Sequence, residues 1–391
     1  MGSDRAEGGC RTGSGGPGNP PRGDHMPNPL HVLVVGAGVA GMAAAAALDR
    51  RGLSVDIIER RTHSPAGAGL FLPGNAVRAM AELGLGDALR DGVPIRTQRL
   101  LDHRGRTLAD IDMAALWRGV GQPVGITYDR LRSALADKLR LPVRTGVTVR
   151  TLTESDDGVA VTFSDGTSGR YDVVVGADGV HSELRHMVNP HAEAVYAGQI
   201  CWRFVTGNAA GIDDWTVWLG RGATFLAVPV GEDQLYCYAD LSMPEPAAVA
   251  PAGMPLAERF SQFDREVRDL LAVPDAHFSA IEEVTDSTWR TRRIILIGDA
   301  AHASSPNMAQ GVAMSVEDAL VLAESLGDTG EIEHMLARYR LRRLPRTRWV
   351  QARARRRDST RGMAPVVRDA VLRLAAPRIY ERDYGRLRAL P

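Results

Sequence analysis

Lysine is almost missing from this chain. Of its 47 basic residues only Lys138 is a lysine, all the rest being arginine, so any chemistry that needs a catalytic amine has a single candidate. Lys138 lies in LRSALADKLR, where Leu131, Leu135 and Leu139 mark an apolar helix face and the lysine falls on the solvated side. Schiff-base catalysis and lysine-dependent flavin halogenation are thereby disfavoured. Cysteine is scarce as well. Cys10, Cys201 and Cys237 form no CxxC pair, too few for a disulfide framework or a cysteine zinc centre, and the pattern suits a reducing cytoplasm. No metal site is expected. No apolar run approaches the ~18 uninterrupted residues of a membrane span, and residues 1–27 lack the apolar stretch of a secretory signal. Charge of one sign is lacking too: 47 acidic residues balance 47 basic ones, which leaves no global field for nucleic acid or an anionic membrane. Chemistry on a small molecule is the expectation that remains.

The 391 residues exceed what one hydrophobic core usually holds, so one large or two closely packed domains are expected. Residues 1–27, rich in Gly, Pro, Ser and Arg, read as a disordered tail. HVLVV (31–35) is then a β-branched strand, Val39 to Arg51 an alanine-rich helix ended by Gly52, and SVDIIER (54–60) a second strand. Strand, helix, strand is a βαβ unit with a parallel pair. VRTGVTVRTL and VAVTFSD suggest a small meander before YDVVVGAD returns to the parallel sheet. QICWRFVTG, WTVWLG, ATFLAVPV and QLYCYADL read as consecutive antiparallel strands of a second lobe, and a helix is expected over 256–273. RRIILIGDAAH returns to a buried strand, followed by a helix over about 311–326 and an Arg-rich helical end.

Three strand ends carry the chemistry. Gly36, Gly38 and Gly41 form GxGxxG between strand and helix, and Glu59 ends the next strand twenty-three positions after Gly36. Gly36 allows the tight turn, Gly38 lets backbone amides approach a pyrophosphate at the helix N-terminus, and Gly41 permits close helix–strand packing. Glu59 accepts from ribose hydroxyls. This element indicates a dinucleotide without separating NAD, NADP and FAD. A second buried strand ends at Asp178-Gly179 and a third at Gly298-Asp299, with a helix starting near Gln310-Gly311. A carboxylate at the C-terminal end of a sheet strand suits a ribityl chain, and the free amides of a helix start suit negative charge on a reduced flavin.

Together these elements resemble the single-component FAD-dependent aromatic hydroxylases of the para-hydroxybenzoate hydroxylase type. GAGLFLPGNAVRAM (67–80) and PNMAQGVAMSVEDA (306–319) are similar to the salicylate, urate and hydroxynicotinate hydroxylase branch. The resemblance spans His31 to the C-terminus. It implies an α/β fold, with a Rossmann-type FAD-binding domain over 28–190 and 286–330, an inserted antiparallel-sheet substrate domain over 191–285, and C-terminal helices over 331–391. It further implies that Gly36, Gly38, Gly41, Glu59 and Arg60 hold the ADP half of FAD, that Asp178 serves FAD and NAD(P)H, and that Asp299 binds the ribityl chain. Pro306, Gln310, Gly311 and Val312 would lie beside the isoalloxazine. NADH or NADPH would reduce the flavin, and O2 would give a C4a-hydroperoxide that hydroxylates or epoxidises an electron-rich aromatic or polycyclic substrate. A monomer or homodimer is expected. Two positions depart from the family pattern: Tyr128 stands where an arginine is usual, with Arg130 and Arg132 as replacements, and Ala309-Gln310-Gly311-Val312-Ala313 lacks a glycine and an asparagine of GQGxN.

No nucleophile or acid–base residue is assigned from sequence; Pro306, Gln310 and His302 are the candidates nearest the flavin. In 223–229, alternation puts Thr224, Leu226 and Val228 on one face and Phe225, Ala227 and Pro229 on the other. One of these faces should line the substrate pocket, with Pro306, Asn307 and Met308 on the flavin side and Phe71 and Leu72 opposite. That lining is mainly apolar and suits a neutral substrate; Arg203 is a further substrate candidate, for if it points inward a benzoate-like acid returns as substrate, whereas an outward, ion-paired arginine is the more common disposition. Trp202, Trp215 and Trp218 read as core, and Arg353, Arg355, Arg356 and Arg357 as a solvated helix face. Rival readings are a flavin oxidase or reductase without oxygen insertion, and a cyclase that uses FAD as a scaffold.

Overall fold

The computed structural model describes residues 29–62, 68–244, 254–272, 275–286 and 288–391. The disordered tail expected over 1–27 lies outside them. The βαβ unit forms as read, with strands His31–Val35 and Ser54–Glu59 joined through the helix Val39–Arg50. They belong to a five-stranded parallel sheet in the order Ile294–Leu296, Val173–Gly176, His31–Val35, Ser54–Glu59, Val143–Thr145. Val32, Leu33, Val34 and Val173 to Val175 are wholly buried, as expected of strands covered on both faces. Met42 to Leu48 are buried all round, because the helix lies between this sheet and the helix Gly311–Leu326. Its run of alanines suits that position, since small side chains let the two helix backbones come close.

The second sheet has seven strands in the order His277–Glu283, Val195–Gly207, Gln234–Ser242, Ala223–Gly231, Trp215–Leu219, Thr97–Asp102, Thr107–Asp112. The four strands read from sequence are present, but Val195–Gly207 pairs with Gln234–Ser242 rather than with the strand that follows it. One seam is parallel: Trp215–Leu219 runs alongside Thr97–Asp102. The expected boundary at residue 190 therefore does not follow the sheets, because Thr97–Asp112 lies before it and still extends the second sheet. The meander is Val149–Ser155, Gly158–Phe163 and Ser168–Tyr171. The single helix expected over 256–273 is two, Leu256–Arg259 and Arg265–Leu270. The break is set by Asp264, whose side chain accepts from the Val267 amide and starts a new helix there.

The end of the chain is two helices, Ile332–Ser359 and Pro365–Tyr384. The first is fastened by charge. Arg343, fully buried, donates from Nε to Asp318 Oδ1 at 2.7 Å and from Nη1 to Glu317 Oε2 at 2.8 Å. Arg346 adds two bonds of 2.7 Å to Glu317, and Asn75 Nδ2 donates to Glu317 Oε1 at 2.9 Å. Asp318 Oδ2 also accepts from the Gly298 amide at 2.8 Å and lies 2.6 Å from His302 Nε2. Burial alone would disfavour the ionised Asp318; His302, Arg343 and the Gly298 amide outweigh it and hold its pKa down at about 2. Asp318 is thus charged at any pH near neutrality. Arg343→Met removes its guanidinium and should cost about 3–5 kcal/mol of stability, read as the shift in urea-unfolding free energy. A free energy within error of the parent chain would refute this account of the helix junction.

Candidate active site

A cleft of about 1140 Å³ runs between the two sheets. At one end lies the glycine turn. Gly36 has φ +104°, and a Cβ there would lie 2.4 Å from the Ala177 carbonyl oxygen; a Cβ on Gly41 would lie 1.8 Å from the carbonyl oxygen of Gly36. Only glycine fits either position. The helix Val39–Arg50 starts at Gly38 without a side-chain cap, so its first amides are available to an anion. Glu59 Oε2 accepts from the Ala37 amide at 2.8 Å, which holds the acid beside the turn. Gly36, Gly38, Glu59 and Arg60 line the cleft, and Gly41 lies behind them as a packing residue. Tyr128 covers Gly38, Arg132 lines the cleft beside it, and Arg130 turns away to the Val230 carbonyl at 3.3 Å. Of the two candidate replacement arginines, Arg132 is the one that faces the cleft.

The middle of the cleft is built from the other two strand ends. Asp178 accepts from Ser182 Oγ at 2.5 Å and the Leu184 amide at 3.1 Å, and burial pushes its carboxyl up against the pull of those bonds. Arg185, buried, donates to Val180 O at 2.7 Å and Ala300 O at 3.2 Å, tying the Asp178 turn to the Asp299 turn. Asp299 sits deep in the protein mass with its side chain open to the cleft. Burial raises its pKa, while His302 and Arg203 pull the other way. Pro306, Asn307, Gly311 and Val312 line the adjoining wall. The helix Gly311–Leu326 starts without a side-chain cap, leaving its first amides open to the cleft. Ala309, where the family pattern has glycine, has φ +48°, the left-handed region. It is the only non-glycine residue with positive φ among the described residues.

At the far end the second sheet forms a wall. Thr224, Leu226 and Val228 face the cleft, and Phe225 and Ala227 enter the core behind. Phe71 and Trp215 pack with ring centroids 4.2 Å apart and planes tilted by 36°, and both line the cleft. Trp202, Trp215 and Trp218 are core, as read, and Trp215 also lines the cleft. Arg203 does not point outward into an ion pair. It lines the cleft, donates to Ser279 Oγ at 2.9 Å and lies 5.7 Å from the Tyr238 ring centroid. Its strand neighbours on either side, Trp202 and Phe204, fill the core face, so alternation directs Arg203 inward. No carboxylate among the described residues pairs with it.

Four expected lining residues lie elsewhere. Met308 and Leu72 are buried in the core. Gln310 turns from the cleft to accept from Asn75 Nδ2 at 3.0 Å, and His302 is committed to Asp318. The arginines read as a solvated face are mostly engaged as well. Arg355 pairs with Glu283 at 2.7 Å, and Arg353 with Asp383 at 3.6 Å. Arg357 lies over the rings of Tyr380 and Tyr384 and donates to the Asn307 carbonyl at 2.9 Å; Arg355 and Arg356 are exposed, and Arg356 also lines the cleft. Sequence reasoning missed this because the acidic and aromatic partners of these arginines lie on other elements, out of register with any helical spacing.

A cleft with two uncapped helix starts and three strand-end carboxylates along its length fits an extended dinucleotide with a polyol between its halves. The comparisons agree. The sequence model of the family described as FAD binding domain matches residues 29–215 and 266–354. The chain is 31% identical over 349 residues to an FAD-dependent urate hydroxylase of Klebsiella pneumoniae, covering 85% of this chain and 91% of that one. It is 34% identical to the aurachin C monooxygenase/isomerase of Stigmatella aurantiaca, covering 82% and 87%. The crystal structure of Klebsiella pneumoniae HpxO complexed with FAD and uric acid superposes with a TM-score of 0.81 at 28% identity, covering 92% of this chain and 95% of that chain. This chain belongs to the FAD-dependent aromatic hydroxylases. It is accordingly an oxidoreductase, an FAD-dependent monooxygenase supplied with electrons by NAD(P)H.

In this hydroxylase Asp358 joins three walls of the site. It ends the long C-terminal helix, accepts from Gln199 Nε2 of the sheet at 2.5 Å, and accepts from Asn307 beside the flavin wall. Burial is the largest influence on its carboxyl and, opposed by Gln199, Ser305 and Arg361, lifts its pKa from 3.8 to about 6. An acid that ionises later in the folded chain than in the unfolded one favours folding only while protonated. This contribution is therefore full below about pH 4 and is lost as pH rises through about 6. Asp358→Asn keeps an acceptor for both amides and removes the titration. The stability of the variant relative to the parent should rise between pH 4 and 6 and then level off, as read from thermal unfolding across that range. A pH-independent difference would refute the assignment.

Proposed function

We propose that this monooxygenase hydroxylates an electron-rich aromatic or heteroaromatic ring bearing an acidic or strongly accepting oxygen, and that Arg203 holds that oxygen. The observation that carries this reading is the guanidinium of Arg203, turned into the cleft from the sheet wall without a carboxylate partner. A desolvated arginine suits a planar carboxylate, enolate or phenolate far better than a neutral hydrocarbon ring. The neutral substrate expected from an apolar lining gives way to this one. The solved relative that holds uric acid accords with an acidic heterocycle.

FAD, reduced by NADH or NADPH, supplies activation of O2, one oxygen atom going to the ring and the other leaving as water while the nicotinamide is oxidised. The chain's own residues bind, orient and exclude. Gly36, Gly38 and Glu59 would receive the ADP half, Asp178 holds its own turn in place, and Asp299 would accept from the ribityl hydroxyls. The amides at Gly311 and Val312 would favour negative charge on the ring system at the helix start. Pro306 and Asn307 close one side, while Leu226, Val228, Trp215 and Phe71 keep water from the opposite side. No side chain need act as a nucleophile; among the described residues that line the cleft, no serine or cysteine is hydrogen-bonded to a histidine.

Aromatic acids and hydroxylated N-heteroaromatics should stimulate NAD(P)H oxidation by the FAD-loaded protein, and neutral phenols should do so less. The product should carry oxygen from labelled O2. Label from water alone would overturn the oxygenation reading. Arg203→Met should raise KM for the acidic substrates by roughly tenfold or more with flavin content unchanged. An equal loss toward acidic and neutral substrates would remove Arg203 from substrate recognition.

A further inference from the structure

The last helix, Pro365–Tyr384, is apolar on two opposite sides. One side is core and cleft: Arg368, Leu372, Ile379 and Tyr380 line the cavity, and Ala376 and Tyr384 are buried. The other side faces water. Of the ten large apolar side chains most exposed among the described residues, five lie within residues 363–374. These are Met363 at 37%, Val366 at 82%, Val367 at 53%, Val371 at 44% and Leu374 at 83%. With 3.6 residues to a turn, Val366, Val367, Ala370, Val371 and Leu374 form one strip about 12 Å long, directed away from the core. Apolar residues this concentrated on a surface mark a contact with something.

The charges beside the strip say what. Arg373 flanks one edge and Arg378 lies near the other; both are exposed, and neither has a partner among the described residues. Between residues 365 and 380 the only acid is Asp369, which is buried and bound to Arg368. A second copy of the chain is a poor occupant. In a twofold dimer the same patch meets itself, and the arginines of the two copies would be brought together, with Glu381, already paired with Arg388, as the one exposed acid of this helix to offset them. An apolar strip edged by arginines matches instead the boundary of a lipid leaflet that carries negative headgroups. The balanced charge of the whole chain does not oppose this, because attraction to a surface is decided within a Debye length of it. No helix among the described residues is long and apolar enough to cross a membrane. The strip would lie on the bilayer.

We propose that the helix Pro365–Tyr384 docks this monooxygenase on an anionic lipid surface through Val366, Val367, Val371 and Leu374, with Arg373 and Arg378 at the headgroups. Met363 and Val371 are at once exposed and part of the cleft lining, so docking sets the rim of the substrate cavity against the leaflet. A lipid-soluble aromatic substrate would then enter without crossing water.

Flotation of the FAD-loaded full chain with vesicles tests this. The protein should rise with vesicles of equal parts phosphatidylglycerol and phosphatidylcholine, less with phosphatidylcholine alone, and less at high salt. Val367→Glu with Leu374→Glu should cut the bound fraction roughly tenfold, and Arg373→Glu with Arg378→Glu should cut it similarly. Flavin absorbance and unfolding midpoint should be unchanged in both, since all four positions face water. A parent chain that stays below the anionic vesicles, or binding untouched by V367E/L374E, would overturn the proposal. So would a dimer in sedimentation equilibrium that V367E/L374E splits, because the strip would then belong to a second copy.

Discussion

Two carboxylates, Glu317 and Asp318, lie side by side at almost no exposure beneath the wall of the cleft, and they can do so only because Arg343 comes down between them. A buried anion pair of this kind is tolerated when each oxygen finds a donor. Asn75, Arg346, His302 and the Gly298 amide complete the set. Through it one charged cluster fixes four separate parts of the site. It seats the helix Gly311–Leu326, draws in the long C-terminal helix, holds Gly298 at the head of the Asp299 turn, and anchors the Asn75 side chain that takes Gln310 out of the cleft. The position of the flavin wall is thus set by ionic contacts on its far side.

The cofactor half of the site was legible because its chemistry is local in sequence. A turn that admits only glycine at Gly36 and Gly41, an acid at the end of the next strand, and two more strand-end acids are each short signals with a mechanical reason. The alternation that placed Thr224, Leu226 and Val228 on the cleft face is local in the same sense. What was not legible depends on contacts across the chain. Gln310 and His302 follow the flavin motif closely, yet their partners Asn75 and Asp318 decide that they face inward. Asp318 itself stands in the run PNMAQGVAMSVEDA, and no spacing rule links it to Arg343. Arg203 was misread because the prior for arginine favours the surface. The apolar neighbours Trp202 and Phe204, which direct it inward, were already visible on the same strand.

Ala309 shows how a departure from the family pattern is accommodated. An L residue in the left-handed region costs roughly 1–2 kcal/mol relative to glycine, and here it is met at the turn just before the helix start that opens onto the cleft. The turn is held from both sides, by Arg357 on the Asn307 carbonyl and by Asp358 on the Asn307 amide. The last helix supports this hold through Tyr380 and Tyr384, which lie against Arg357. The end of the chain therefore contributes to the shape of the flavin wall, and the apolar strip on its outer side is carried by the same helix.

The parallel seam between Trp215–Leu219 and Thr97–Asp102 bears on how such an enzyme changes in evolution or by design. The substrate wall is drawn from two stretches of chain, 97–112 and 195–283, separated by 82 residues in sequence. Transplanting residues 195–283 alone would leave the hairpin of Thr97–Asp102 and Thr107–Asp112 as an edge without its neighbour. A wall of this kind is not a cassette. Its substrate range changes by single substitutions on the faces it already has, not by exchange of one contiguous segment.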